Sequence, residues 1–245
     1  MSLSRIDRIA VRWLAAGIAL LGVVSGIPLR AEAENARGVR QDGAGSYAWL
    51  SALWWQWGLG QPAVDVDGTN TNPILDTTGD FAAAGQENGI GPGNRFFFLA
   101  GSFGGDVDRT VTVPAGKALF FPVVNFEADN AFDPPTNFTV PELRTMAEAN
   151  IDGVDSLYAR LDGVDLEIVR TKSPAFSYTL PDEDSIYAYF GLFGPQFEGT
   201  IMPVVADGYW VQLPPLPAGE YLLEFGGAIS STGFSLNVTY RLTIE

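Results

Sequence analysis

The chain has no histidine and no cysteine among its 245 residues. Without them, Ser-His-Asp and Cys-His catalysis in their usual forms are excluded. The side chains that dominate zinc and copper sites are also missing, so only oxygen ligands for calcium, magnesium or manganese remain. No disulfide can form. Any chemistry must therefore come from carboxylates, Lys, Tyr, Ser or Thr.

Basic residues are scarce as well. The chain has 14 Lys and Arg against 29 Asp and Glu, which gives a formal net charge of −15. Such a chain repels phosphate backbones and anionic lipid surfaces, and the sequence has no basic patch to overcome that repulsion. We therefore expect no nucleic-acid partner, whereas cations, neutral polymers and basic partners remain open.

The first 33 residues have the order of a secretory signal peptide. Three arginines precede an apolar run over 13–24, and Ala31 and Ala33 place small residues at the −3 and −1 positions. A membrane anchor is the less favoured alternative, because spanning a bilayer takes roughly 20 apolar residues. We expect cleavage after Ala33 and a secreted, periplasmic or cell-envelope location, with membrane contact only through an uncleaved signal peptide.

The remaining chain divides into a flexible N-terminus over 34–45, which is polar and rich in Gly and Ala, and a single domain over 46–245. Two short helices are predicted. The first covers 46–59, where apolar residues recur at spacings of three and four and form a face that packs on a sheet. The second begins at the capping box of Thr139 and Glu142.

Short strands make up most of the rest, and Asp162-Gly163 between two of them predicts a hairpin. The final strand alternates apolar and polar residues, as expected for one face in the core and one in water. The predicted strands are 95–100, 110–113, 118–125, 157–161, 164–168, 209–213, 220–225 and 234–245. This pattern predicts an all-β, two-sheet sandwich of Ig-like or jelly-roll-like type with two short helices.

Several motifs resemble those of a group of exported bacterial proteins without an assigned activity. They are WWQW over 54–57, RTVTVPAGKALFFP over 109–122, LDG over 161–163, and ADGYW over 206–210 with PLPAG over 215–219. The resemblance covers most of the predicted mature chain and implies export and a β-sandwich, but it brings no catalytic residues. It also implies that Ala82 and Val111 stand where similar sequences carry a pair of cysteines.

Polar residues emerge where the apolar strand 118–125 ends. Asn125, Glu127 and Asp129 lie there, with Asn125 expected on the same face as Phe121 and Val123. Binding loops cluster at the rims of sandwiches. The segment is therefore a candidate ligand-binding site. Two further residues are assigned to it, namely Gln86 and Arg109. The alternative interpretation is an ordinary acidic loop.

A weaker candidate is a calcium loop. Asp65, Asp67 and Thr69 occupy positions 1, 3 and 5, and Asp76 falls at position 12, which is the ligand spacing of such loops. Asn70 stands where these loops require glycine. A solvated, turn-rich loop is the other interpretation, and no other cofactor is expected.

Three classes of function follow from these features. The first is an exported, acidic, non-enzymatic binding or envelope-associated protein with a carbohydrate or cell-surface ligand, which aromatic residues over 187–197 would help to hold. The second is a polysaccharide hydrolase or lyase with Glu127 and Asp129 as general acid and base, about 5 to 9 Å apart. The third is a structural surface or matrix protein.

Overall fold

The computed structural model describes residues 45–245 except 66, 133 and 183. The predicted signal peptide (1–33) and all but the last residue of the predicted N-terminal segment (34–45) lie outside the described residues. The described part is mostly β, with ten strands in two mixed sheets and three short helices. The predicted two-sheet sandwich is therefore confirmed. None of the described helices is long and apolar enough to cross a membrane.

The helices are α1 (Tyr47–Leu59), α2 (Val140–Asp152) and α3 (Ile186–Tyr189). The strands are β1 (Phe96–Phe98), β2 (Gly105–Val113), β3 (Ala118–Ala128), β4 (Ser156–Leu161), β5 (Val164–Asp165), β6 (Val169–Lys172), β7 (Phe176–Thr179), β8 (Thr200–Leu213), β9 (Gly219–Ile229) and β10 (Phe234–Ile244). Sheet I has the order β1-β3-β8-β6, with β7 also paired to β8, and sheet II has the order β2-β10-β9-β4-β5. The β1–β3 and β2–β10 pairs are parallel and the others antiparallel.

Sheet I is buried on both faces. One face packs on sheet II, where the rings of Phe121 and Phe225 lie 4.7 Å apart. The other packs on α1, where Trp54 meets Trp210 at 5.7 Å. Strands covered on both faces read as continuous apolar runs, which explains why the first seven residues of β3 are all buried.

Helix α1 lies on sheet I as predicted, but it is buried on more than the single predicted face. Trp55, which falls off the apolar stripe, is only 7% exposed. The indole Nε1 of Trp54 donates to Leu99 O at 2.9 Å, and that of Trp57 donates to Ala84 O at 2.7 Å. A helix that is apolar on all sides is typically buried. Here the segment that follows α1 covers the side of the helix that faces away from sheet I.

Three local predictions are confirmed. Glu142 Oε2 accepts from the backbone N–H of Thr139 at 2.8 Å at the start of α2. Asp162 and Gly163 have φ angles of 49° and 78° between β4 and β5, as the predicted tight hairpin requires. The apolar residues of β10 are buried in alternation with more exposed polar ones.

The errors concern the lengths of elements and the omission of strands β6 and β7 from the predicted set. Strand β3 continues to Ala128 rather than ending near Asn125, and β8 begins at Thr200 rather than near Tyr209. Helix α3 was not predicted, because its four residues are too few to show helical periodicity. The acidic segment after the apolar run is therefore strand for three more residues.

A β-bulge in β3 determines which face the last residues of this strand use. Pro122 pairs with Trp210 and Val124 with Tyr209, so Val123 is skipped in the register between β3 and β8. An extra residue on one strand inverts the alternation of side chains beyond it. Val123 and Val124 consequently both contribute to the core between the two sheets.

The bulge places Asn125 on the opposite face from the predicted one. A regular strand would keep it with Phe121 and Val123, toward sheet II. Beyond the bulge, Asn125 and Glu127 instead share the face that packs toward α1. Glu127 accordingly pairs with Ala206, which belongs to the core between sheet I and α1.

Two of the predicted ligand-binding residues hold the framework together. Gln86 is buried. Its side-chain Oε1 accepts a hydrogen bond from the N–H of Phe98 at 2.7 Å, and its Nε2 donates to the carbonyl oxygen of Phe98 at 2.8 Å. Arg109 is fully buried, and its guanidinium donates to the hydroxyl of Tyr240 at 2.7 Å and to several backbone carbonyls. These carbonyls belong to Ile74, Asp76, Ala100 and Gly101.

Substitution of Arg109 by Lys should destabilise the protein by about 2–4 kcal/mol, because Lys keeps the charge but replaces a planar fork of five donors with three. Arg241→Lys is the matched control. Arg241 lies on the neighbouring strand β10, opposite Thr110, and makes an exposed ion pair with Asp108 at 3.0 Å. Urea unfolding of the two variants tests the prediction. Equal midpoints would contradict the framework role of Arg109.

The implied cysteine pair stays a prediction that the fold makes testable. Ala82 and Val111 belong to the same buried cluster, and Thr110 N–H donates to Thr78 O at 2.8 Å, which holds the turn before Ala82 against β2. We expect Ala82→Cys/Val111→Cys to form a disulfide on oxidation and to gain about 3–4 kcal/mol. The control pair Ala82→Cys/Val113→Cys should stay reduced. Free thiols in the first variant after oxidation would refute the predicted proximity.

Candidate functional site

A cavity of about 130 Å³ lies where β3 has lost one of its neighbours. β1 pairs with β3 only as far as Phe98 opposite Phe120, so beyond that point β8 is the only described strand that pairs with β3. The cavity is bordered by residues 124–129 along this open edge and by residues of all three helices. It is called the β3 cavity below.

The walls of the β3 cavity are mainly apolar and aromatic. The aromatic lining residues are Trp54, Trp55, Phe103, Phe126, Phe132, Tyr187 and Phe234, and the aliphatic ones include Ile74 and Ile151. Its polar lining residues, apart from the Trp and Tyr side chains, are Ser102, Asn125, Glu127, Asp129 and Asn150. The lining therefore combines an apolar surface with two carboxyl groups and includes no Lys or Arg.

The end of β3 brings three predicted site residues, Asn125, Glu127 and Asp129, to this cavity. They do not form the exposed rim of a loop, because Glu127 lies on the strand and Asp129 is only 5% exposed. Close packing of β3 on β8 helps to fix them: a Cβ at Gly208 would lie 2.7 Å from the Cβ of Asn125. Glycine at 208 therefore allows β8 to approach Asn125.

Asp129 is bound on both carboxyl oxygens. Its Oδ1 accepts from the N–H of Ala131 at 2.7 Å. Its Oδ2 accepts from the hydroxyls of Tyr178 and Tyr187, the latter at 3.1 Å, and the two hydroxyls lie 2.7 Å apart. The carboxyl group thus connects the end of β3 to β7 and α3. Both of its oxygens are therefore engaged in hydrogen bonds.

The loop after Asp129 is closed by Asn130. The side-chain Oδ1 of Asn130 accepts from the N–H of Phe138 at 2.6 Å and from the hydroxyl of Thr136 at 3.1 Å. Its Nδ2 donates to Phe138 O at 3.1 Å. These bonds hold the segment that carries Phe132, one wall of the cavity, between β3 and α2.

The two carboxyl groups differ in how strongly they hold a proton. Burial raises the pKa of the Glu127 carboxyl well above its ordinary value, and the nearby negative charge of Asp129 raises that pKa further. Burial also raises the pKa of Asp129, but hydrogen bonds from Tyr178, Ala131 and Tyr187 offset part of this increase. Glu127 is therefore the member of the pair that keeps its proton to higher pH.

The two tyrosines remain neutral phenols in this surrounding. Burial raises the pKa of Tyr178 and of Tyr187 well above the ordinary value, and the charge of Asp129 acts in the same direction. Each tyrosine therefore keeps the proton that it donates to Asp129 or to its neighbour. Both side chains were beyond the reach of sequence patterns, because they lie 49 and 58 residues from Asp129 along the chain.

The carboxyl group of Glu127 makes no hydrogen bond or ion pair within the described part of the chain, and its Oε2 is buried. Two other lining residues also contain buried side-chain nitrogens without partners, namely Trp55 Nε1 and Asn125 Nδ2. A buried polar group without a partner is unfavourable by about 1–3 kcal/mol. Such groups beside a cavity are a reason to expect a ligand there.

The four residues of the predicted calcium loop do not form a metal site. Asp65 Oδ1 accepts from the N–H groups of Asp67 and Thr69, at 2.9 and 3.0 Å, in a local turn. Asp76 is buried, and its carboxyl accepts from main-chain N–H groups at 78, 79 and 81. No group of three or more acidic side chains within the described ranges is arranged to hold a metal ion. The segment is a turn-rich loop.

The predicted aromatic patch over 187–197 is divided between core and surface. Tyr187, Phe190 and Phe197 are buried, whereas Phe193 is 73% exposed. Of these, Tyr187 reaches the β3 cavity. The ring of Phe197 packs on that of Tyr187 at 5.3 Å within the core, so this patch adds one phenol to the candidate site.

Comparison of the chain with protein-family models, with curated proteins and with solved structures finds no match in any of the three. The geometry and chemistry of the β3 cavity are therefore the grounds for a functional proposal.

Substitution of Glu127 by Gln should stabilise the protein increasingly as pH rises. The folded-state pKa of Glu127 lies above its ordinary value of 4.5. The difference between the folded-state and ordinary pKa of Glu127 therefore stabilises the folded protein fully below pH 4.5, and this stabilisation is lost as pH rises through the folded-state pKa. Gln does not titrate, so the difference in Tm should widen from pH 5 to pH 9, by about 2–4 °C for each kcal/mol.

Thermal unfolding of the wild type and of Glu127→Gln at several pH values measures this difference. Glu220→Gln, an exposed residue at the start of β9, is the control and should follow the wild type at every pH. A Tm difference between wild type and Glu127→Gln that is constant with pH would contradict the raised pKa.

Proposed function

We propose that this chain is a small-molecule-binding protein and that the β3 cavity is its binding site. The observation that carries the proposal is an apolar cavity of about 130 Å³ beside the unpaired carboxyl group of Glu127. Apolar cavities with a few well-placed polar groups are the usual form of small-molecule sites. The order of basic, apolar and small residues at the N-terminus supports the further proposal that binding takes place outside the cytoplasm.

The size of the cavity favours a compact ligand. An engineered apolar cavity of about 150 Å³ accepts benzene, so 130 Å³ corresponds to a molecule of about one ring. A polysaccharide chain needs a longer groove and many more polar partners than this lining offers. The carbohydrate ligand predicted from the sequence is therefore less well supported than a single-ring, mainly apolar molecule.

A second candidate function is acid catalysis on the same ligand. It is favoured by the raised pKa of Glu127 beside Asp129, because a general acid must hold its proton near neutral pH. The two-carboxylate hydrolase is less well supported, since both oxygens of Asp129 already accept hydrogen bonds. In this alternative Glu127 donates the proton, and Asp129 positions Tyr178 and Tyr187 and keeps Glu127 protonated.

A screen of single-ring compounds by thermal shift tests the proposed function. A compound that binds only the folded state at a hundred times its dissociation constant adds about 2.7 kcal/mol, or roughly 5–10 °C in Tm. Ala131→Phe should abolish the response, because Ala131 lines the cavity. Ala84→Phe is the control, since Ala84 is half-buried outside the cavity.

Two results would contradict the proposal: no compound that raises Tm, or compounds whose effect survives in Ala131→Phe. Conversion of a bound compound to product, lost in Glu127→Gln, would favour catalysis over binding alone.

A further inference from the structure

The polar part of the β3 cavity consists mainly of hydrogen-bond acceptors. Glu127 Oε1 and Asn125 Oδ1 make no hydrogen bond in the described part of the chain. Neither oxygen is among the fully buried atoms that lack a partner, so both are accessible from the cavity. The side-chain Nδ2 of Asn150 donates to Met146 O at 2.9 Å, which orients the amide, and no described residue donates to its Oδ1. The unpaired nitrogens of Trp55 and Asn125 are buried atoms. The polar atoms that an entering ligand can reach are therefore the amide oxygens of Asn125 and Asn150 and the Glu127 carboxyl group, which becomes an acceptor on both oxygens once it loses its proton.

The charges around the cavity have one sign. Its titratable lining residues are Glu127, Asp129 and Tyr187, and Tyr178 lies directly behind Asp129. The lining residues from α1 and α2 are uncharged. The whole chain has a formal net charge of −15, which raises the local concentration of cations. An anionic ligand would meet no compensating positive charge from the described residues that line the cavity.

The apolar walls also favour a cation. Aromatic faces attract ammonium groups, by about 0.5–2 kcal/mol depending on how well water is excluded. The aromatic side chains that line the cavity include Trp55 from α1, Tyr187 from α3, Phe103 and Phe132. The cavity thus offers acceptors, negative charge and aromatic rings to one molecule.

We infer that the ligand of the β3 cavity is a compact amine, whose cationic ammonium group binds to the carboxyl group of Glu127 while its apolar body contacts the aromatic walls. This inference rests on the proposed function of the cavity. The amine enters as its ammonium cation, donates N–H hydrogen bonds to Glu127, and displaces the carboxyl proton to solvent. One proton leaves for each cation that enters, so the charge of the site is conserved.

The probes are three molecules with one ring and nearly the same shape: benzylamine, benzyl alcohol and benzoate. We expect titration calorimetry of the full chain at pH 7 to give an affinity for benzylamine at least about tenfold above that for benzyl alcohol, and no binding of benzoate. Two buffers with different ionisation enthalpies should report the release of about one proton with benzylamine. The affinity for benzylamine should also rise with pH until Glu127 ionises without ligand.

Glu127→Gln should reduce benzylamine to the affinity of benzyl alcohol and remove the proton release, whereas Glu220→Gln should behave as the wild type. Equal binding of benzylamine and benzyl alcohol would overturn the inference and leave the proposed function standing. Binding of benzoate, or of none of the three probes, would also overturn the inference. The thermal-shift screen with Ala131→Phe judges the proposed function separately, because it does not depend on the charge of the compound.

Discussion

Asp129 is a buried carboxylate that three separate parts of the chain satisfy. Its oxygens accept hydrogen bonds from the N–H of Ala131 and from Tyr178 and Tyr187, which belong to β7 and α3. A buried charge is tolerated only when it is bound in this way. The same bonds hold the end of β3 and its covering segments together, and the charge that they stabilise acts on Glu127. Asp129 therefore contributes both to the shape of the cavity and, in addition to burial, to the raised pKa of Glu127.

The bulge in β3 makes this arrangement possible. Without it, Asn125 and Glu127 would point into the core between the two sheets, where a carboxyl group would have only apolar neighbours such as Phe121 and Phe225. The skipped residue Val123 moves them to the other face, at the place where β1 has ended and the edge of β3 is open. The one extra residue thus places the polar side chains at the end of β3 beside the cavity rather than in the core between the two sheets.

Patterns that arise from neighbours in sequence were predictable. The capping box at Thr139, the turn at Asp162-Gly163 and the alternation of β10 each express a local requirement, and the structure confirms them. The identity of Asn125, Glu127 and Asp129 as neighbours was also predictable, because they are two residues apart. Their surroundings were not: a bulge leaves no signature in composition, and Tyr178 and Tyr187 are brought to Asp129 only by the tertiary fold. Gln86 and Arg109 show the converse error, since a polar residue near a strand can serve the main chain rather than a ligand.

The central claim is that burial, together with the neighbouring charge of Asp129, keeps Glu127 protonated above the pH at which exposed glutamates ionise. Carbon-13 NMR of the glutamate side-chain carboxyl carbons, with the Glu127 signal assigned by its loss in Glu127→Gln, measures this protonation state directly. The account predicts that the Glu127 signal stays at its protonated position at pH 7, while the signals of exposed glutamates have already titrated. A Glu127 signal that titrates together with those of the exposed glutamates would contradict it.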